Sequence, residues 1–266
     1  MVGCNVIDPA LRVTGAGYST DITHDALVFL HGLGFDAVEF SHAAHFSDRD
    51  VEVLRDVLGG MGLRAWSVHS WSGGDPLAES APREFAVGPG RCAQVALGLG
   101  ASVVVHHAFG PTPSDSARLA REGELLAEAW RPGIRWALEN TSGPDQYAYA
   151  LALADLLGPE RAGICVDTGH AHIQGPSPEE VIRTAGCRLI TTHLHDNHGQ
   201  RDEHAPPGDG TIDFGRVAAA LRETGYGGCV MLELTDGPPA ERRPTIRDEL
   251  ARGARAASAL AAAIGA

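Results

Sequence analysis

Short runs of apolar, often β-branched residues recur along the chain and alternate with longer amphipathic stretches. The runs are Val2 to Ile7, Ala37 to Phe40, Ala65 to His69, Ser102 to His106, Ile134 to Glu139, Gly163 to Asp167, Leu189 to His193 and Cys229 to Glu233. Their length and flanking turn residues predict strands. Between them, Asp50 to Leu58 and Phe214 to Leu221 place apolar residues at helical spacing. Pro178-Glu179-Glu180 opens another helix, with proline in the first turn and carboxylates at the positive end of the dipole. Glycines punctuate the predicted helix ends at Gly59-Gly60, Gly98, Gly100, Gly158, Gly186 and Gly225, as left-handed caps require.

Strand-helix units spaced at roughly 26 to 40 residues suit βα repeats. The strands are too apolar to leave one face wet, so the pattern predicts an α/β protein built as a closed (β/α)8 TIM barrel. An open, doubly wound sheet is the alternative. No linker or break in composition divides the chain, so residues 1–266 are expected to form a single domain. The alanine-rich stretch from Ala251 to Ala263 could cover the barrel or pair with another copy as a homo-oligomer.

Composition narrows the chemistry. The chain carries 21 basic and 34 acidic residues for a net charge of -13, and every basic residue is arginine. Without lysine there is no Schiff-base aldolase, no pyridoxal phosphate anchor and no Walker-A nucleotide loop. An acidic surface argues against nucleic acid and anionic membranes as partners, because both need clustered cations. It leaves divalent cations open. The five cysteines (Cys4, Cys92, Cys165, Cys187, Cys229) are scattered and form no C-x-x-C pair, which predicts reduced thiols in a cytoplasmic protein. Neither a signal-peptide pattern nor an apolar run of membrane-spanning length is expected to direct it elsewhere.

The predicted strands end in a distinctive way. They close on Glu39, His69, His106-His107, Glu139-Asn140, Asp167 with His170 three residues on, His193-Leu194-His195-Asp196, and Glu233. A loop after strand seven adds Asp202, Glu203 and His204. In a βα barrel all these ends converge on one face. A single His or Glu at a strand end is ordinarily a solvated loop residue, but so many together are not independent. Glu139, Asp167 and Glu233 gathered without a cation would repel one another and resist burial, whereas a divalent ion removes the penalty. Mixed imidazole and carboxylate donors, with no cysteine among them, suit metals such as Zn, Mn, Fe, Co or Ni rather than a thiolate site. If His106 points inward, alternation turns His107 away from the axis. His195 shares the parity of His193 and is expected to support a ligand rather than be one. Trp66 and Trp136 read as core, whereas Trp71 and Phe109 lie beyond strand ends and are candidates for a pocket wall.

These residues resemble the xylose isomerase-like barrel superfamily, which holds sugar isomerases and epimerases, inosose dehydratases and endonuclease IV. The resemblance spans essentially the whole chain. Its most specific motifs are Cys165-Val-Asp-Thr-Gly-His170 and His193-Leu-His-Asp196, followed by Asp202-Glu-His204-Ala-Pro-Pro-Gly-Asp-Gly210. It implies one divalent metal (Mn, Zn, Co or Mg) on Glu139, Asp167, His193 and Glu233, with His170 contacting substrate oxygen. The endonuclease IV members extend this set to three zinc ions, and His69, His106, His170, Asp202 and His204 stand where their extra ligands would fall. The reaction implied is isomerisation or epimerisation of a sugar, sugar phosphate or cyclitol-like hydroxy-carbonyl compound by proton transfer through an enediolate, with Glu139 and Glu233 as the proton-transferring pair. Substrate contacts would come from Glu39, His69, Trp71, His106, His170 and Arg201. A trinuclear-zinc phosphoesterase and an inosose-type dehydratase are the alternatives.

Overall fold

Eight strands account for all the predicted apolar runs: β1 (Val2–Asn5), β2 (Ala37–Ser41), β3 (Arg64–His69), β4 (Val103–His107), β5 (Arg135–Glu139), β6 (Ala162–Asp167), β7 (Leu189–His193) and β8 (Val230–Leu232). Each ladder is parallel, and the hydrogen-bonded order runs β7-β6-β5-β4-β3-β2-β1-β8. The first and last members of that order meet through a parallel bridge between Leu194 and Leu232, where Leu194 N–H donates to the Met231 carbonyl at 2.9 Å. The chain is therefore a (β/α)8 barrel rather than an open sheet. The computed structural model describes residues 1–6, 20–41, 43–70, 74–141, 143–234 and 246–265.

An outer ring of helices covers the strands: α1 (Thr20–Gly32), α2 (Asp48–Met61), α3 (Ala81–Phe85), α4 (Arg91–Leu99), α5 (Ser116–Ala129), α6 (Pro144–Leu157), α7 (Thr168–Gln174), α8 (Pro178–Ala185), α9 (Phe214–Glu223) and α10 (Ile246–Ile264). Helix α2 begins with a reciprocal capping box between Ser47 and Asp50. It runs through Gly59-Gly60, the expected stop, and ends instead at Gly62, whose φ of 72° supplies the left-handed cap. Likewise Gly98 lies inside α4, packed against Val51, and Gly100 (φ 80°) ends the helix. Two adjacent glycines weaken a helix without ending it when the surrounding apolar face is buried. The C-terminal helix buries Leu250, Ala257 and Leu260 and contacts β8, β1 and α9, so it covers this barrel. No helix among the described residues is long and apolar enough to cross a membrane.

The larger core lies between strands and helices, and includes Phe35, Phe40, Phe85, Trp136 and Tyr149. Inside the barrel two small layers fill the lumen: Val103, Val105, Ala137 and Cys165, and below them Ala37, Cys229 and Met231 with Trp66. Of the two tryptophans expected in the core, Trp136 is fully buried and donates to the Leu126 carbonyl at 3.2 Å, whereas Trp66 is part-buried against the lumen layer and donates to Thr191 Oγ1 at 3.0 Å. Along β5, Arg135, Ala137 and Glu139 share the inward side, and above the lumen plug the ladders pair Glu139 with His107 and Asp167 with His193. Polar groups thus collect at the strands' C-terminal end.

Candidate metal centre

Glu139, Asp167, His193 and Glu233 each offer one ligand atom, and the four atoms lie within 4.8 Å of one another. They come from β5, β6, β7 and the residue after β8, so the register of two ladders and the closing bridge fix their spacing. His193 Nδ1 lies 3.3 Å from Glu139 Oε2 and 3.2 Å from Glu233 Oε2. Yet neither oxygen of Glu139, nor Nδ1 of His193 or His170, has a hydrogen-bond partner, although all are fully buried. Buried polar atoms are almost always paired. Lone pairs converging on a common point without hydrogen-bond alignment are what an ion would satisfy. The donor set fits a divalent metal in number, chemistry and spacing.

The far side of each ligand is held. His193 Nε2 lies 3.0 and 3.1 Å from the oxygens of Glu39, which accepts in turn from Ser67 Oγ at 2.6 Å. Glu39 is fully buried behind the imidazole and does not open onto the mouth, so it orients His193 rather than meeting a substrate. Asp167 receives His170 N–H at 2.6 Å as the N-cap of α7, and His195 Nε2 lies 2.9 Å from its other oxygen. Asn140 clasps the Asp167 backbone through both its amide groups. Gly169 has no substitute here, since a Cβ would overlap the His195 ring.

Around this core sit further imidazoles. His69 Nε2 and His107 Nε2 approach Glu139 Oε2 at 3.4 and 3.3 Å. The expectation for strand four is thereby reversed. His107 faces the axis beside Glu139, and His106 points outward, its Nε2 3.2 Å from Glu122 Oε1 and its Nδ1 3.1 Å from Ser70 Oγ. His106 is wholly buried among Phe85, Trp136 and α5, so it is neither ligand nor substrate contact. Ladder pairing explains the choice: His107 lies opposite Glu139 and His106 opposite Leu138, a core residue. Glu122 also accepts Phe109 N–H and the Tyr149 hydroxyl, which completes a buried network on the outer face of the strand.

On the opposite side, His170 Nδ1 lies 3.1 Å from Glu139 Oε1, and its Nε2 lies 3.4 Å from Asp202 Oδ2. His204 Nε2 donates to Asp202 at 2.7 Å and its Nδ1 to the Glu233 carbonyl at 3.1 Å, while its ring stacks on His195. His204 is the one non-glycine among the described residues at positive φ (46°). Such strain persists only where the surroundings impose it. The framework is Asp196, a residue the motif contains but whose role the sequence conceals. Its buried carboxylate accepts from the backbone N–H of Asn197, Gly208, Gly210 and Ile212 at 2.9 to 3.1 Å, which curls the loop back over the mouth.

Charges within the cluster are strongly coupled. Burial alone would raise Glu139, but His107 and His193 hold it well below the carboxylate range. Burial would lower His170, yet Asp167, Asp202 and Glu139 keep it well above the imidazole range. His204 is pushed up to about 9 against its burial by Asp202 and Glu233. Other expected contacts fall elsewhere. Arg201 is exposed and pairs with Glu203, and Trp71 lies outside the described residues. Phe109 lines a hollow of about 380 Å³ beside the cluster, with His107, Pro111, Thr141 and Gln146.

A parallel barrel carrying a buried imidazole-carboxylate cluster at its C-terminal mouth defines the class of barrel proteins with a metal-competent centre. Within that class, the chain belongs to the xylose isomerase-like TIM barrel family, whose pattern it matches over residues 27–256. It is 26% identical over 254 residues to the uncharacterised protein y4fM of Sinorhizobium fredii, covering 79% of each chain. Shorter stretches match an inosose isomerase of Bacillus velezensis (26% over 129 residues, 45% of each chain) and a probable endonuclease 4 of Mycobacterium leprae (28% over 137 residues, 47% of this chain and 54% of that one). A solved D-tagatose 3-epimerase-like protein superposes with a TM-score of 0.75 at 20% identity, over 99% of this chain and 98% of that one.

Proposed function

We propose that the protein is a divalent-metal-dependent isomerase or epimerase of a sugar, sugar phosphate or cyclitol-like hydroxy-carbonyl compound. The observation that carries this reading is the pair of carboxylates, Glu139 and Glu233, flanking His193 Nδ1 at 3.3 and 3.2 Å at the barrel mouth. Glu139, Asp167, His193 and Glu233 would hold the ion, which when bound supplies polarisation of a substrate carbonyl and offsets the clustered negative charge. Glu139, kept ionised by His107 and His193, is the base that takes a proton from the carbon beside the carbonyl. Glu233, once protonated, returns one from the other face. Return to the same carbon inverts it, and return to the next carbon moves the carbonyl. His170, with its Nε2 turned toward Asp202, would donate to a substrate hydroxyl. The epimerase-like fold and the inosose isomerase match support the substrate class. Buried, unbridged cysteines support a reducing, cytoplasmic setting.

The test is loss of a C–H proton to deuterated solvent. Metal-loaded protein is incubated with a panel of ketoses, ketose phosphates and inososes, and deuterium is expected next to the carbonyl of at least one. Glu139→Gln should abolish exchange without unfolding the barrel. Full metal loading with no exchange across the panel rejects the reading.

One observation favours a second reading, a trinuclear phosphoesterase of the endonuclease IV kind. His69 and His107 converge on Glu139, and His195, His204 and Glu233 form another metal-competent group. Elemental analysis separates the two: about one ion per chain for the isomerase, about three for the hydrolase.

A further inference from the structure

The opposite end of the barrel carries a feature that neither reading uses. Arg135 is the first residue of β5 and shares the lumen-facing side with Ala137 and Glu139. Its neighbour across the ladder is Val103, part of the apolar lumen layer. A guanidinium at such a position is ordinarily neutralised, because a charge removed from water needs a counter-charge or hydrogen bonds. Arg135 is part-buried, as is Arg118, which has both Asp75 and Asp115. Arg135 has no ion pair among the described residues, and its Nε is fully buried without a hydrogen-bond partner. The guanidinium borders a cavity of about 370 Å³ at the N-terminal mouth, lined also by Cys187, Ile190, Thr224, Tyr226 and Gly228. Gly225 turns that wall at φ 72°, and among the described residues no carboxylate lines the cavity.

We propose that this cavity is a binding site for a small oxyanion-bearing metabolite, with its phosphate or carboxylate group held by the Arg135 guanidinium. The planar fork of arginine matches two oxygens of such a group. The cavity exceeds the volume of the anion alone, so the ligand carries a further small organic portion against Ile190 and Tyr226. The site lies beneath the lumen plug, and its ligand is separate from whatever occupies the C-terminal mouth.

Cys187 provides a local probe. It lies in the cavity wall and is the only exposed cysteine, the other four being buried. Its alkylation by iodoacetamide is followed in the full-length protein with inorganic phosphate, with succinate, or with chloride at equal ionic strength. The expected result is saturable protection by phosphate, succinate or both, about tenfold at ten times Kd. Phosphate alone points to a phosphorylated ligand and succinate alone to a carboxylate. Protection should survive Glu139→Gln, which excludes capture at the other mouth, and should disappear in Arg135→Gln. If Arg135→Gln does not fold, Arg135→Lys, which keeps the charge and loses the fork, should weaken protection. Equal labelling rates in all three salts overturn the proposal, as does protection that is undiminished in the Arg135 variants.

Discussion

At the scale of single residues, the centre depends on side chains that never reach the mouth. Among the described residues the Glu39 carboxylate hydrogen-bonds to His193 and Ser67, and it thereby fixes which imidazole nitrogen faces the other ligands. Replacing it with glutamine should weaken divalent-ion affinity by about 10- to 100-fold, as loss of an orienting partner generally does, with little change in fold. Competition against a chromogenic chelator measures it. Gly169→Ala is expected to act through sterics alone: the new methyl group overlaps the His195 ring, which must swing off Asp167. Metal content on purification should fall while the circular dichroism spectrum stays that of the parent.

At the scale of elements, the barrel was legible because a strand buried on both faces leaves an apolar run that few helices imitate. Observed strands differ from the expected bounds by a residue or two at their ends, where chain geometry rather than burial decides. Glu139, Asp167 and Glu233 could be picked out for the same reason: a carboxylate closing an apolar strand has only the mouth to face. The pair His106-His107 defeats that logic. Both follow an apolar run, and alternation says only that they point opposite ways. The choice is made by a partner 16 residues downstream, Glu122, buried on α5. A buried acid on a helix was the available signal, but nothing local ties it to His106. Removing it tests this. Glu122→Ala strips partners from His106, Phe109 N–H and Tyr149 together, and should cost about 3–5 kcal/mol in urea unfolding. The loop after β7 hides its anchor in a similar way, since Asp196 reads as one more acid at a strand end until four backbone N–H groups are seen to converge on it.

At the scale of the molecule, the cluster couples stability to protons, and would couple it to a divalent ion held by the same residues. His204 titrates at about 9 when folded, above the roughly 6.5 of a free imidazole. A raised imidazole contributes stability that is fully present below its unfolded value and is lost as pH rises through the folded one. Metal-free protein should therefore lose thermal stability between pH 6.5 and 9, as read by melting temperature at each pH. The acids around His193 likewise hold a proton on that imidazole against its burial, and an ion taking His193 as a ligand must displace it, so apparent metal affinity should climb with pH, with protons released on loading. Loaded protein is then expected to melt at a nearly constant temperature across that range.

The barrel's closure by a bridge between Leu194 and Leu232 has a temporal consequence. Glu233 sits one residue past that seam, whereas Glu39 comes from the second strand, so a chain still being synthesised holds fragments of the cluster and never the whole. Folding intermediates lacking the last strand would present the ion with an incomplete set of donors. Tight capture of metal should accordingly lag behind helix formation and coincide with the docking of β8, making the ion a reporter of the final step in assembly rather than a nucleus for the first.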